Sequence, residues 1–327
     1  MERWARQRGL PVTLIAALAT VYVVWGSTYL GIKVALEGFP PMLLGATRFL
    51  IAGALLYAWT GRNPDAARPT RVQWGAATLA GTLMLVGGNG AVTWAEQRID
   101  SGVAALLVAS VPLWMALLAR VWQGERLRRA AVLGLFLGFV GVGVLVRPTG
   151  DGVSVLPSML VLAGALAWAA GSIYVRRAPM PVHALRGTSM QMLAGGGVFA
   201  LIAIATGELG QFEPAAVTWR SASALGYLVV FGSILAFSAY TWLLRNTRPS
   251  VVSTYAYVNP FVAVLLGAVL LAEPVTSGMA VAAGLIIVGV ALIVTPPRAG
   301  RHPVPQPESV PAPATPPARE PCDAVAE

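Results

Sequence analysis

Few side chains in this sequence could do chemistry, and most of them sit inside long apolar runs. Arg48 lies about eight residues into the run 41–60, hence about 10 Å from its end at ~1.5 Å per helical residue. Facing lipid, a guanidinium at that depth costs at least ~2.5 kcal/mol on insertion scales. It therefore needs a cavity, where it would be the counter-charge for a carboxylate or other anionic group, or a structural partner such as Glu96 or helix-end carbonyls. Asn89, inside Gly87-Gly88-Asn89-Gly90, falls at comparable depth in the run 72–95. The glycines admit close backbone approach, so the segment reads either as cavity lining or as a tight helix–helix contact. Glu96 follows that run and could exchange a proton or bind a cation, or simply be a solvated carboxylate at the interface. Trp25, Tyr29 and Lys33 recur at four-residue spacing on one helical face, with Thr28 beside them, and Lys33 is also placed to pair with Glu37. Trp168 and Ser172 form a looser counterpart, and Gln191 occupies the later position that matches Arg48. Tyr255, Tyr257 and Asn259 precede Pro260. A proline inside a membrane helix frees a carbonyl that can line a site, and Pro112 makes the matching break earlier in the chain.

Catalysis finds no support in this inventory. His183 and His302 are the histidines and Cys322 is the one cysteine, so no cysteine-based metal site or disulfide framework exists. There is no Gly-x-Ser-x-Gly elbow and no Gly-x-x-x-x-Gly-Lys-Ser/Thr loop for ATP. No cofactor or metal is expected.

The elements that position these residues follow from composition. Of 327 residues, 56% are hydrophobic and 11% charged, where soluble domains carry about 25% charge. That fraction cannot cover a water-facing surface. The 23 basic and 14 acidic residues fall in short clusters between apolar runs rather than in a basic patch interleaved with aromatics, which excludes a nucleic-acid binder.

A hydrocarbon core of about 30 Å needs about 20 apolar helical residues. Ten runs qualify: 12–34, 41–60, 72–95, 101–122, 130–147, 154–175, 182–206, 219–244, 250–272 and 278–295. The first contains Trp25, Tyr29 and Lys33 and lacks a small-residue cleavage site, so it reads as a span and not a signal peptide. Cytoplasmic loops collect Lys and Arg. With the N-terminus inside, the clusters at Arg3, Arg62, Arg126, Arg176, Arg245 and Arg298 put fifteen arginines on the cytoplasmic side, against four basic residues opposite. Both termini are then cytoplasmic. Residues 297–327, rich in Pro, Ala and charge, read as a disordered tail, and residues 1–11 as a short cytoplasmic one.

The chain also repeats itself. A shift of 148 residues places Ala91, Thr93 and Trp94 on Ala239, Thr241 and Trp242, Pro112 on Pro260, Glu125 on Glu273, and Val140-Gly141-Val142 on Val288-Gly289-Val290. Five spans in each half, 12–148 and 149–296, force the second half to enter from the opposite face. The expected fold is therefore an all-α polytopic membrane protein, ten transmembrane helices forming two inverted five-helix repeats around a central cavity. Inverted repeats suit alternating access to a midplane site.

With VVWGSTYLGIK at 23–33, MLLGATRFLIAG at 42–53, GGNGAVTWAEQ at 87–97, STYAYVNP at 253–260, GER at 124–126 and AEPVT at 272–276, the chain resembles the drug/metabolite transporter superfamily, specifically the EamA-type ten-helix exporters of bacterial inner membranes. The similarity spans residues 12–296 and implies a helical basket around a cavity, exporting small metabolites, amino acids or toxic compounds. The expected function is a secondary transporter exporting small organic metabolites by alternating access. The alternative is a facilitated or exchange carrier for drugs, nucleotide-sugar-like or lipid-linked solutes. Its partners are a small-molecule substrate and the lipid bilayer, in a monomer or weak dimer. Glu96 and Lys33 are the candidates for proton coupling or gating, since no acidic residue lies deep inside a span.

Overall fold

The computed structural model describes residues 12–62, 68–124, 129–146, 154–247, 249–252 and 254–294. The expected disordered tail, the N-terminal segment and Glu125 lie outside these residues. Among the described residues ten long helices follow one another: α1 Val12–Ala35, α2 Pro41–Gly61, α3 Arg71–Ala95, α4 Ser101–Trp122 and α5 Arg129–Val146, then α6 Val155–Val175, α7 Ala184–Ala205, α8 Trp219–Asn246, α9 Tyr255–Leu271 and α10 Ser277–Val294. Seven are long and apolar enough to cross a membrane, and α5, α9 and α10 contain shorter apolar segments. Leu55, Phe136, Leu201 and Leu265 are more than half exposed, as expected of side chains that face lipid instead of water.

The two halves share their local design. Thr70 opens α3 with a capping box to Gln73, and Thr218 opens α8 with one to Ser221; the pairs stand at the same 148-residue shift seen in the sequence. Both helices then widen into π-helical turns, at Thr82–Gly90 and Leu228–Leu235, and α1 does so at Val21–Trp25. Such wide turns misalign backbone bonds and often mark functional positions.

Equivalent helices pack against each other, α2 on α7, α4 on α9 and α5 on α10, and each pair runs antiparallel. Arg186, at the start of α7, donates to the Tyr57 carbonyl near the end of α2 at 3.3 Å. Glu273, beyond the end of α9, accepts from the backbone N–H of Ser101, at the start of α4, at 3.0 Å. In α5 and α10, a Cβ at Gly134 would collide with the Gly289 carbonyl, while one at Gly141 would sit 3.0 Å from the Ala282 carbonyl. Glycine is thus required at this crossing, where the backbones meet directly. Crossed pairs complete the pattern, α3 with α6 and α1 with α8.

Two carboxylates bind the halves together at one end of the bundle. Glu208, beyond α7, accepts from the backbone N–H groups of Met42 and Leu43 at 2.8 and 2.9 Å. Glu273 accepts from Ser101 N–H, from Ser101 Oγ at 2.8 Å and from Gly102 N–H at 3.3 Å. Each satisfies orphan donors of a helix N-terminus and places negative charge against its dipole.

Candidate functional site

A cavity of about 60 Å³ lies where six helices converge. Helix α1 contributes Trp25, Thr28, Tyr29 and Ile32, α2 contributes Arg48, and α3 contributes Gly88, Asn89 and Val92. The opposite wall is Val108 and Val111 of α4, Trp168 of α6, and Tyr255 and Asn259 of α9. Eight residues singled out in the sequence therefore meet in one place. The volume equals only a couple of water molecules at ~30 Å³ each, so any organic solute must widen it.

Arg48 is 4% exposed and has no ion pair among the described residues. Its Nε donates to Ser233 Oγ at 2.8 Å, and the guanidinium carbon stands 4.8 Å from the Phe49 ring centroid. Room for it comes from Gly232, where a Cβ would lie 2.9 Å from Arg48 Nη2 and 3.0 Å from Thr28 Cγ2. Both Ser233 and Gly232 belong to the π-helical stretch of α8. The alternative of a pair between Arg48 and Glu96 is not met among the described residues. The terminal guanidinium nitrogens carry no hydrogen bond among the described residues, on the one side chain lining the cavity that bears a charge.

The glycines around Asn89 do the packing. A Cβ at Gly87 would be 2.9 Å from Ala167 Cβ, one at Gly88 2.7 Å from Trp168 Cε3, and one at Gly90 3.0 Å from Phe199 Cε1. Asn89 alone of the four presents a polar group, and it faces the cavity. Asn89 thus lines the cavity while the glycines beside it make the tight contacts.

One end of the cavity is aromatic. Trp25 has ring centroids of Tyr240, Trp168 and Tyr255 at 4.8, 5.4 and 5.5 Å. Tyr240 lies 5.6 Å from Trp168 and 5.8 Å from Tyr255. Helices α1, α6, α8 and α9 thus close on one cluster. Hydrogen bonds orient it: Trp25 Nε1 donates to the Gly232 carbonyl at 3.2 Å, and Trp168 Nε1 to Tyr240 Oη at 3.2 Å. Tyr240 was not foreseen; nothing in its sequence context separates it from a lipid-facing tyrosine.

The other end, past Ile32 and Val92, carries Lys33 and Glu96. Lys33 does not pair with Glu37, which instead meets Arg220 at 3.4 Å on the exposed rim. Its ammonium donates to the carbonyls of Glu96 and Ile99 at 2.7 and 2.8 Å, tying α1 to the end of α3. Glu96 is not solvated: it is 0% exposed, and neither carboxyl oxygen has a hydrogen-bond partner among the described residues. Burial pushes its carboxyl well above the usual carboxylate range; Lys33 and Arg48 oppose that shift and Glu273 adds to it. Asp100 is raised as well, by burial first and then by Glu273.

Two expected site residues, Ser172 and Gln191, stand apart from the cavity. Ser172 is buried and committed to the Trp168 carbonyl at 2.7 Å and Tyr240 Oη at 2.9 Å, so it braces the cluster. Gln191 is 1% exposed in the contact of α7 with α3, where its carbonyl blocks any Cβ at Gly81. The Tyr257 side chain lies outside the described residues. Pro112 stands in the first turn of Val111–Gln123, after α4 breaks at Ala109 and Ser110, and the break delivers Val108 and Val111 to the cavity. Pro260, by contrast, sits within an uninterrupted α9. Asn259 beside it donates, with its amide nitrogen facing them, to the carbonyls of Tyr22 and Tyr255 at 3.1 and 3.2 Å. Among the described residues no cluster of His, Cys, Asp or Glu could hold a metal.

Comparison with known proteins gives this geometry a context. The profile of the EamA-like transporter family matches residues 12–147 and 156–295. A relative named "Uncharacterized inner membrane transporter YedA", from Escherichia coli (strain K12), is 39% identical over 283 residues, 86% of this chain and 90% of that protein. A "Probable amino-acid metabolite efflux pump" of Salmonella typhimurium (strain LT2) is 25% identical over 278 residues, 82% of this chain and 90% of the other. A solved crystal structure superposes with a TM-score of 0.61 at 23% identity, covering 86% of this chain and 96% of that one, a likeness of fold.

Proposed function

The chain belongs to the EamA-like transporter family, a membrane transporter and not an enzyme, and on that premise we propose that it exports small organic metabolites, amino acids or related compounds, across the bacterial inner membrane by alternating access. The observation that carries this reading is the cavity itself. A buried guanidinium with free donors faces an aromatic wall, where helices of two antiparallel-paired halves converge.

In this reading the halves are the segments 12–148 and 149–296, and they exchange two packings around Arg48. The aromatic cluster of Trp25, Trp168, Tyr240 and Tyr255 is the cytoplasmic gate, and Lys33 with its two carbonyls holds the periplasmic one. The arginine clusters between spans support cytoplasmic termini. Glu96 is the group that exchanges a proton: a fully buried carboxyl without a partner is tolerated neutral and driven out of the apolar interior when charged. Transport needs one copy, as a monomer or within a weak dimer. A nucleotide-sugar carrier fits less well, because among the described residues Arg48 alone supplies positive charge to the cavity wall and a diphosphate needs more.

The test is exchange of a labelled amino-acid panel in proteoliposomes, with and without a pH gradient. Saturable exchange that strengthens with the gradient and is lost in Arg48→Ala is the expected result. Absence of any movement by folded, correctly inserted protein would remove the amino-acid assignment.

A further inference from the structure

The charge inventory of the cavity limits what it can hold. Among the described residues its wall carries one cation, Arg48, and no carboxylate; the other polar side chains there are neutral. Several of those are already committed. Thr28 Oγ1 donates to the Trp25 carbonyl at 2.7 Å, Trp25 and Trp168 donate to Gly232 and Tyr240, and Asn259 donates to two carbonyls. What remains free among the described residues is the outer face of the Arg48 guanidinium, the Asn89 amide and the Tyr29 hydroxyl.

An α-amino acid brings two charges into this space. Its carboxylate matches Arg48, whose planar fork suits a two-oxygen anion. Its ammonium finds no counter-charge, since Glu96 is enclosed beyond Val92 and does not reach the wall. The Asn89 oxygen and the Tyr29 hydroxyl supply at most two of the three acceptors an ammonium needs, and neither carries charge. Burying an ionised group that lacks a partner is costly, and in so small a cavity the ammonium is also repelled by Arg48. Cation–π contact with Trp25, Trp168 or Tyr255 offsets this only in part, because a ring quadrupole is a weaker partner for an ammonium than a carboxylate.

Resting on the exporter reading above, we propose that the preferred substrates are monoanionic carboxylic acids with an apolar or aromatic body, whose nitrogen is absent or masked as an amide, with free zwitterionic amino acids carried as weaker substrates. Arg48 takes the carboxylate, Asn89 pairs with an amide where one is present, and Trp25, Trp168 and Tyr255 take the apolar body. Such compounds are the products of deamination or N-acylation, so a reaction of one of those classes supplies the substrate.

The test uses one body with different charges. Counterflow in proteoliposomes would compare 3-phenylpropionate and N-acetyl-L-phenylalanine as monoanions, L-phenylalanine as the zwitterion, and L-phenylalaninamide as the cation at mildly acidic pH. The monoanions should compete at about tenfold lower concentration than the zwitterion, the discrimination expected when one buried charge is left unpaired, and the cation should not compete. Arg48→Gln should abolish the advantage of the monoanions. Should that variant fail to insert, Asn89→Asp serves instead: a carboxylate on the wall should move preference toward the zwitterion. Stronger competition by L-phenylalanine in the wild-type protein, or an unchanged ranking in Asn89→Asp, overturns the proposal and leaves the exporter standing. No exchange of any of these solutes or of the amino-acid panel overturns the exporter reading itself.

Discussion

Arg48 shows how depth in a bilayer turns one side chain into a functional demand. The sequence demanded a cavity or a partner for it, and the structure supplies both in part: Ser233 holds Nε at 2.8 Å while the rest of the guanidinium faces open space. Arg48→Ala should therefore lower transport at least about tenfold while leaving insertion and monodispersity intact, as size-exclusion chromatography checks. Glu96 gives a prediction in pH. Its carboxyl is raised in the folded protein, so its contribution to the closed packing is complete below the ordinary carboxyl range and fades as pH rises through the folded value. Thermal unfolding of the purified protein should accordingly shift down with rising pH, and Glu96→Gln should flatten that dependence. A dependence that survives Glu96→Gln would move the role to Asp100, whose carboxyl is raised as well. Arg48, Asn89 and Trp25 were legible because a polar or bulky group far from a membrane edge stands out against an apolar run. Lys33 was only half legible: its charge was visible, but its carbonyl partners on α3 are distant in sequence.

Among the elements, the boundaries were the most legible feature. The run 101–122 became α4 with the same limits, because any backbone in hydrocarbon must satisfy its own hydrogen bonds as a helix. What periodicity missed are the interruptions. Nothing in Leu228–Leu235 announces a π-helical stretch, yet that stretch places Gly232 and Ser233 against Arg48. Two substitutions probe such local fitting. Gly88→Ala puts a methyl group 2.7 Å from Trp168 Cε3 and should cost about 1–3 kcal/mol through overpacking, with loss of transport as the indole is displaced. Glu273→Ala removes the acceptor for Ser101 and Gly102 and should cost about 1–2 kcal/mol, the worth of a charged helix cap, while the charge preference of the substrate site stays unchanged. Melting curves and counterflow on the same samples separate the two effects.

For the molecule as a whole, Cys322 is a built-in reporter of topology. It is the one cysteine in the chain, so a membrane-impermeant maleimide should label it only after the cytoplasmic face is exposed. Labelling of intact spheroplasts would reverse the proposed orientation. The number of helices, their lengths and the weak self-similarity at 148 residues were written in the chain, because lipid as a solvent imposes helices on every apolar run of sufficient length. The sequence alone could not say which helices would touch. The pairing of α2 with α7 and α5 with α10, the gathering of Trp25, Trp168, Tyr240 and Tyr255 into one cluster, and the exclusion of Ser172 and Gln191 from the cavity all depend on packing. Without a hydrophobic drive between helices, association rests on close contact and interhelical hydrogen bonds. Those depend on shape between residues far apart in the chain, which periodicity along one helix does not encode.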